Sequence, residues 1–197
     1  FLPVFLIVYG ITPHKYRNLT LLVGSIVFYA MGDARYFPLL MISILCNYFF
    51  GLHLAKRSPK TLWRKKLLLI VALTLNLAVL LWFKDWGGPA GLPLGISFYT
   101  FQILSYLIDV YRGEVSREYS FLKFATYVSM FPKLISGPIT RYGEISEKLQ
   151  DRDFTVQGLE DGMKLFILGL AAKVLLADRV GILWHEVQVT GFESIST

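Results

Sequence analysis

"LLLIVALTLNLAVLLWF", Leu67 to Phe83, is a run of seventeen residues without a charge. Its reading decides which solvent this chain folds in. As a helix rising about 1.5 Å per residue it covers roughly 25 Å, and its length falls at the lower end of the ~17 to 25 residues that cross a bilayer. Trp82 and Trp86 mark its far end, where indole rings favour the membrane interface. The rest of the chain agrees. Of its 197 residues 54% are hydrophobic and only 17% charged, with a mean hydropathy of +0.52. A chain this short has too little interior to hide that much apolar surface from water. The sequence therefore predicts an all-α, polytopic transmembrane protein.

Further apolar segments lie on both sides, near residues 1–12, 19–32, 36–55 and 92–110. Only Asp33 and Arg35 are charged between the second and third, and so short a break predicts an antiparallel helical hairpin. The segment 92–110 carries Ser97, Thr100, Gln102, Ser105 and Asp109, a polar load that belongs against other helices or a cavity, not lipid. The first segment is closed by Pro13 and has neither a basic leader nor a cleavage signature, so it is not a signal peptide. The chain starts on Phe1 and stops at Thr197 without a closing helix. Residues 1–197 therefore read as one transmembrane domain cut at both ends.

The loops give an orientation. "AKRSPKTLWRKK", residues 55–66, holds six basic residues and no acid, which places it on the cytoplasmic side. Alternation then puts Lys15 and Arg17, and Arg112 and Arg117, on that side, and the loops with Asp33/Arg35 and Lys84/Asp85 on the other. The formal charge of +6 is thus a matter of membrane topology, and no nucleic-acid partner is expected, because the cations form no stripe with interleaved aromatics. Asn18-Leu19-Thr20 fits a glycosylation sequon but falls on the cytoplasmic side. A lone Cys46 excludes an intrachain disulfide. Three scattered histidines, His14, His53 and His185, offer no metal site.

One segment breaks the pattern. From Tyr119 an apolar stretch runs to Phe131 and meets "FPKLISGPITRY", residues 131–142, with two prolines, a glycine, a lysine and an arginine. About a dozen helical residues rise near 18 Å, short of the roughly 30 Å hydrocarbon core. The segment cannot cross alone as a regular helix. It is either a loop just outside the bilayer, with Lys133 and Arg141 at headgroups, or broken backbone at membrane depth, tolerated only against protein or a watery cavity. Hydropathy leaves the two level. Beyond a polar run, Thr155 can cap a helix continuing to about residue 185, able to span or to lie in the interface.

Three blocks, "PLGISFYTFQILSYLIDVYRGE" (93–114), "FATYVSMFPKLISGPITRY" (124–142) and "GLAAKVLLADRVG" (169–181), resemble in that order the membrane-bound O-acyltransferases, in particular the branch of alginate O-acetyltransferase membrane subunits. The resemblance covers most of the chain from residue 93 onward. It implies a polytopic enzyme of the inner (plasma) membrane that passes an acyl group from a cytoplasmic donor, acetyl-coenzyme A or an acyl-carrier thioester, to hydroxyls of an extracytoplasmic polysaccharide. No bound cofactor is implied; extracytoplasmic acetylation partner proteins are. The family's histidines, which would raise hydroxyl nucleophilicity, are expected beyond residue 197, so no catalytic residue is assigned and the 197 residues alone are expected to be inactive. The residues expected to line or shape a substrate tunnel are Gln102, Tyr106, Asp109, Pro132, Lys133, Gly137, Pro138 and Arg141. Lys133 departs from the family, which often has glutamine there; it could meet an anionic group, pair with Asp109 or reach a headgroup. Two other readings stay open from the residues alone: a transporter or export channel, in which broken helices also occur, and a noncatalytic membrane scaffold.

Overall fold

The computed structural model describes residues 1–54, 62–86, 91–135, 137–150 and 155–190. Lys56, Arg57 and Lys60 of the basic loop lie outside them. The chain falls into two units, Phe1–Arg152 and Asp153–Thr197. Among the described residues there are helices and no strands.

In the first unit α1 is Leu2–Ile11, α2 Arg17–Asp33, α3 Phe37–Leu54, α4 Leu62–Trp86, α5 Ile96–Arg112, α6 Phe121–Ser129, α7 Phe131–Leu134 and α8 Tyr142–Gln150. The expected apolar segments all appear as helices. Two stretches, residues 14–54 and 63–85, are long and apolar enough to cross a membrane, and only 28% and 17% of their most apolar windows are buried. The core helix of a soluble protein would be largely covered. Here Leu67, Ile70, Val71, Leu75, Leu81 and Trp82 of α4 stay exposed, an apolar surface suited to lipid and not to water. The protein is an all-α membrane protein.

Paired contacts fix the helix directions. Asn47 meets Asn76, and the Tyr36 and Phe83 rings lie 5.5 Å apart, so α4 runs antiparallel to α3. Gly51 of α3 faces Tyr106 of α5, whereas Gln102 and Tyr106 of α5 meet Tyr127 and Phe124 of α6, so α6 runs antiparallel to α5. The sequence predicted an antiparallel α2–α3 hairpin. The chain does reverse, at the 3-10 turn Ala34–Tyr36, but α2 packs chiefly on α6, with α1 and α7 beside it, while α3 packs on α4 and α5. The physical reason is in the side chains: Ser25 and Asn18 of α2 find their polar partners in the 126–149 segment, not in α3.

Polar residues stitch the bundle. Asn47 and Asn76 exchange side-chain amide bonds of 3.0 and 2.7 Å, and each also donates to the carbonyl four residues back, Ser43 and Ala72, both at 2.8 Å. In lipid such amides need internal partners. At the opposite end from the basic loops, Asp33 accepts from the Leu94 backbone at 3.1 Å, so the two loops expected on one side do share an end. The Asn18 amide donates to the Leu149 carbonyl at 2.9 Å, which commits the sequon's side chain to the fold.

The second unit holds α9, Val156–Ala172, a π turn at Lys173–Ala177 and α10, Asp178–Thr190. Thr155 caps it as expected, its hydroxyl accepting from Gly158 N at 3.0 Å. Lys164 bridges Glu160 at 2.7 Å on an exposed face.

A broken helical segment as candidate functional site

The broken segment starts as a sound helix. Ser120 caps α6, accepting from the Lys123 backbone at 3.4 Å, and every residue from Phe124 to Ser129 is buried. Its first turn, Phe121 to Lys123, is half-buried, and in the segment that follows Pro132, Ile135, Pro138 and Ile139 are exposed. It ends at Met130, where ψ of 111° breaks the helix and Pro132 sits in the first turn of α7. Thr126 and Ser129 bond back to the carbonyls of Leu122 and Ala125 at 2.7 and 2.8 Å, a habit that weakens helix continuation. The freed Phe131 backbone N–H is not wasted: it donates to the Ser25 hydroxyl at 3.2 Å. The Phe131 ring lies 5.0 to 5.5 Å from those of Phe1, Phe5 and Phe28.

The depth of the break follows from what it touches. Leu134 is buried, and its carbonyl lies where a side chain on Gly95 would begin, 2.2 Å from a Cβ built there. Gly95 is the residue before α5, with φ of 67°. So α6 and α7 climb along the whole of α5, from Tyr106 past Gln102 to Gly95. The chain then returns. Thr140 is back at the level of Tyr127, whose hydroxyl donates to the Thr140 carbonyl at 3.0 Å with the Gln102 carbonyl 3.4 Å away. Tyr142 is back at the level of Tyr106 and Glu118. Leu149, near the end of α8, bonds Asn18 at the start of α2. The segment thus runs out along α5 and comes back to the end at which it started.

A polar and aromatic wall holds this hairpin of chain. Gln102, buried, donates its amide to the Tyr127 carbonyl at 2.8 Å. Tyr106, fully buried, accepts at its hydroxyl from the Glu118 backbone at 3.0 Å. Its ring lies 5.1 Å from that of Tyr142, which lies 5.0 Å from that of Tyr127. Tyr142 donates a short hydrogen bond to Glu118. Lys133 reaches toward the returning chain: its ammonium donates to Thr140 Oγ1 at 2.9 Å and sits 4.5 Å from the centroid of the Tyr127 ring, a cation–π contact.

Of the residues singled out from sequence, Gln102, Tyr106 and Lys133 thus converge on Tyr127 and its surroundings. Asp109 is buried at 5% exposure, and no described residue pairs with its carboxylate; the lysine goes to Thr140, which is close on its own hairpin. Pro132, Gly137 and Pro138 are exposed, and Gly137 turns the chain with φ of 130° and open space where a Cβ would lie. Arg141 is exposed as well, 3.9 Å from Glu114, which pairs with Arg112 at 3.0 Å. These four form no part of the buried wall. Sequence reasoning missed Tyr127, Tyr142, Glu118 and Gly95. Tyr142 lies in a run whose polarity hides one buried face, and Gly95 shows its close approach only once Leu134 is placed. His14 and His53 are exposed and lie on other elements. Among the described residues no group of acids, histidines and cysteines could hold a metal.

No family model matches the chain, and no solved structure matches it. Curated relatives do. The chain is 34% identical to the alginate O-acetylase AlgI of Pseudomonas aeruginosa over 203 aligned positions, covering 93% of this chain and 39% of that protein. It is 31% identical to the peptidoglycan O-acetyltransferase of Helicobacter pylori, over 90% of this chain and 42% of the relative. A shorter stretch, 45% of this chain and 22% of the relative, is 33% identical to the teichoic acid D-alanyltransferase of Streptococcus thermophilus. The chain therefore spans about two fifths of the length of the curated relatives that it matches along most of its own. With this similarity on a helical membrane scaffold, the chain belongs to the membrane-bound O-acyltransferase family, beside the alginate O-acetylases.

Proposed function

We propose that residues 1–197 are part of a multi-pass inner-membrane enzyme that transfers an acyl group, an acetyl group first of all, from a cytoplasmic thioester to hydroxyls of an extracytoplasmic polysaccharide. One observation carries the reading: relatives named for alginate, peptidoglycan and teichoic acid differ in acceptor and agree in moving an acyl group onto a cell-surface polymer. The donor is acetyl-coenzyme A or an acyl-carrier thioester, and the partners are the bilayer, the polymer and acetylation proteins outside the membrane. The broken segment, entering the bilayer and returning, suits one wall of the acyl path, because it brings irregular backbone and a lysine to helix depth between α2 and α5. Gln102, Tyr106, Asp109 and Lys133 set the shape and polarity of that wall. Pro132, Gly137, Pro138 and Arg141 present the outer face of the same segment to whatever packs there.

The test is expression of the full reading frame in a host lacking its own polymer acetylase, with ester-linked acetate on alginate and peptidoglycan quantified by NMR. Acetate appearing on a polymer only with the intact gene supports the proposal. Absence of any acyl transfer by a well-folded, membrane-inserted protein, with thioester donors and each polymer class supplied, would sink it.

A further inference from the structure

In the second unit α9, the π turn and α10 run as one continuous helix from Val156 to Thr190, and no described side chain from 156 to 188 is buried. The stretch 165–184 is apolar on most of its circumference, with Leu165, Leu168, Leu175, Val180 and Leu183 exposed. Lys173 and Asp178 nonetheless stand in its middle. In a regular α-helix two residues five apart point about 140° away from each other. The π turn removes that divergence: the Asp178 N–H donates to the Lys173 carbonyl, which sets Asp178 one turn above Lys173. Counted at about 100° per residue on either side of the turn, Gly162, Gly169 and Gly181 fall on the same facet. A Cβ added to any of these glycines would meet nothing within 4 Å. Lys164 lies on the opposite face and pairs with Glu160, so the helix has no single charged side to turn to water.

The side chains of Lys173 and Asp178 have no ion-pair or hydrogen-bond partner among the described residues. Ionisable groups in the middle of an apolar span face protein or a watery cavity, not lipid, and glycines beside them let a neighbouring helix come close. Arg179, next in sequence, points about 100° aside and has the length to reach the interface; Asp178 has no such reach. The spans of the first unit offer no countercharge, since residues 18–32, 37–52 and 67–83 of α2, α3 and α4 hold no charged residue. A second copy, related by a two-fold axis along the membrane normal, would bring lysine to the height of lysine and aspartate to that of aspartate. The aligned part is only 39% and 42% of the relatives' length, so most of the family's polypeptide lies outside these residues. We propose that the Lys173–Asp178 facet is the docking surface for one transmembrane helix of the same polypeptide outside residues 1–197. That helix sets an acidic side chain against Lys173 and a hydrogen-bond donor against Asp178. The surface rests on the membrane placement of this helix and not on the acyl-transfer reading.

The experiment uses the full-length protein in its native membrane. A diazirine lysine analogue is incorporated at position 173, and in separate preparations a diazirine side chain at 168 or 183, on the other side of the helix. After illumination the linked peptides are identified by mass spectrometry, with light and heavy isotope copies mixed to separate links within one chain from links between chains. Position 173 should capture a same-chain peptide from outside residues 1–197, in higher yield than 168 or 183. Lys173→Glu should lower the level of protein in the membrane several-fold, whereas Lys173→Arg should retain it. Capture by 173 of a peptide from residues 1–197, of a second copy, or of lipid or water alone overturns the proposal. So does equal capture of one peptide from all three positions, or a Lys173→Glu protein at the wild-type level.

Discussion

Replacing Gly95 with alanine should loosen the broken segment more than any other single methyl added to this fold. Two costs add. Gly95 has φ of 67°, and a non-glycine residue in the left-handed region costs about 1 to 2 kcal/mol. The new Cβ would then lie 2.2 Å from the Leu134 carbonyl oxygen and 3.2 Å from its carbon. These are backbone atoms, so no rotamer change relieves the clash; α7 must back away by about an ångström, an overpacking cost of roughly 1 to 3 kcal/mol. The sum is about 2 to 5 kcal/mol. Gly91 supplies the control, with φ of 78° and nothing within 4 Å of its Cβ position, so Gly91→Ala incurs only the backbone part. Denaturant unfolding of the full-length protein in mixed micelles, with cysteine cross-linking between positions 97 and 135 as a local probe, separates the two. Gly95→Ala should lose at least about 1 kcal/mol more than Gly91→Ala and lower the cross-linking yield. Equal losses with unchanged cross-linking would show that Leu134 does not press on the start of α5, and the depth assigned to the segment would be wrong.

Further outcomes can be read in the same preparations. Asn76→Ala leaves the Asn47 amide buried without its partner and should cost about 1 to 3 kcal/mol; the double-mutant cycle should return a coupling near 0.6 to 1.7 kcal/mol, and additive losses would deny the reciprocal pair. Tyr106→Phe removes the acceptor for the Glu118 backbone and should destabilise by about 1 to 2 kcal/mol, visible as faster hydrogen exchange at Glu118, which an unbonded amide would not show. Asp109→Asn removes a buried charge that no described residue balances, so it should leave stability unchanged or raise it by about 1 kcal/mol while lowering polymer acetylation; a loss of stability would make the carboxylate a structural group. Lys133→Gln should retain part of the activity through a bond to Thr140, and Lys133→Met should retain less; equal activities would leave the lysine only a packing role.

The helices were legible because lipid exposure leaves a plain mark: α3 and the middle of α4 are apolar nearly all round, and the limits of α3 follow from where charge resumes, whereas α4 runs on through Arg64 to Lys66 and through Lys84 and Asp85. Gln102, Tyr106 and Asp109 were legible as buried for the opposite reason, since polar groups in an apolar run have to face protein. What sequence could not supply was depth. The length of 119–131 ruled out a full crossing, yet nothing local distinguishes a loop at the headgroups from one that climbs to Gly95. That is set by contacts spanning more than a hundred residues, such as Ser25 with Phe131 and Asn18 with Leu149. The same gap explains why α2 and α3 pack mainly on other helices. A short connection fixes their reversal, but the partner each chooses depends on where α6 fits. Arg141 and the two prolines drew attention by being unusual residue types. The wall is built instead from commonplace tyrosines, whose role depends on mutual distance and not on identity.

Because the chain comes back at Gln150 to the end it left at Phe121, the segment, if it enters the bilayer as we propose, is silent in the parity of crossings. It can lengthen, shorten or reshape without inverting anything encoded after it, as a true span could not. A protease site placed after Arg112 and another placed after Gln150 should therefore be cut from the same face of sealed vesicles. A lineage that retunes this stretch for a new polymer or a new acyl group risks the local fit around Tyr127, while the sidedness of everything downstream stays as it was.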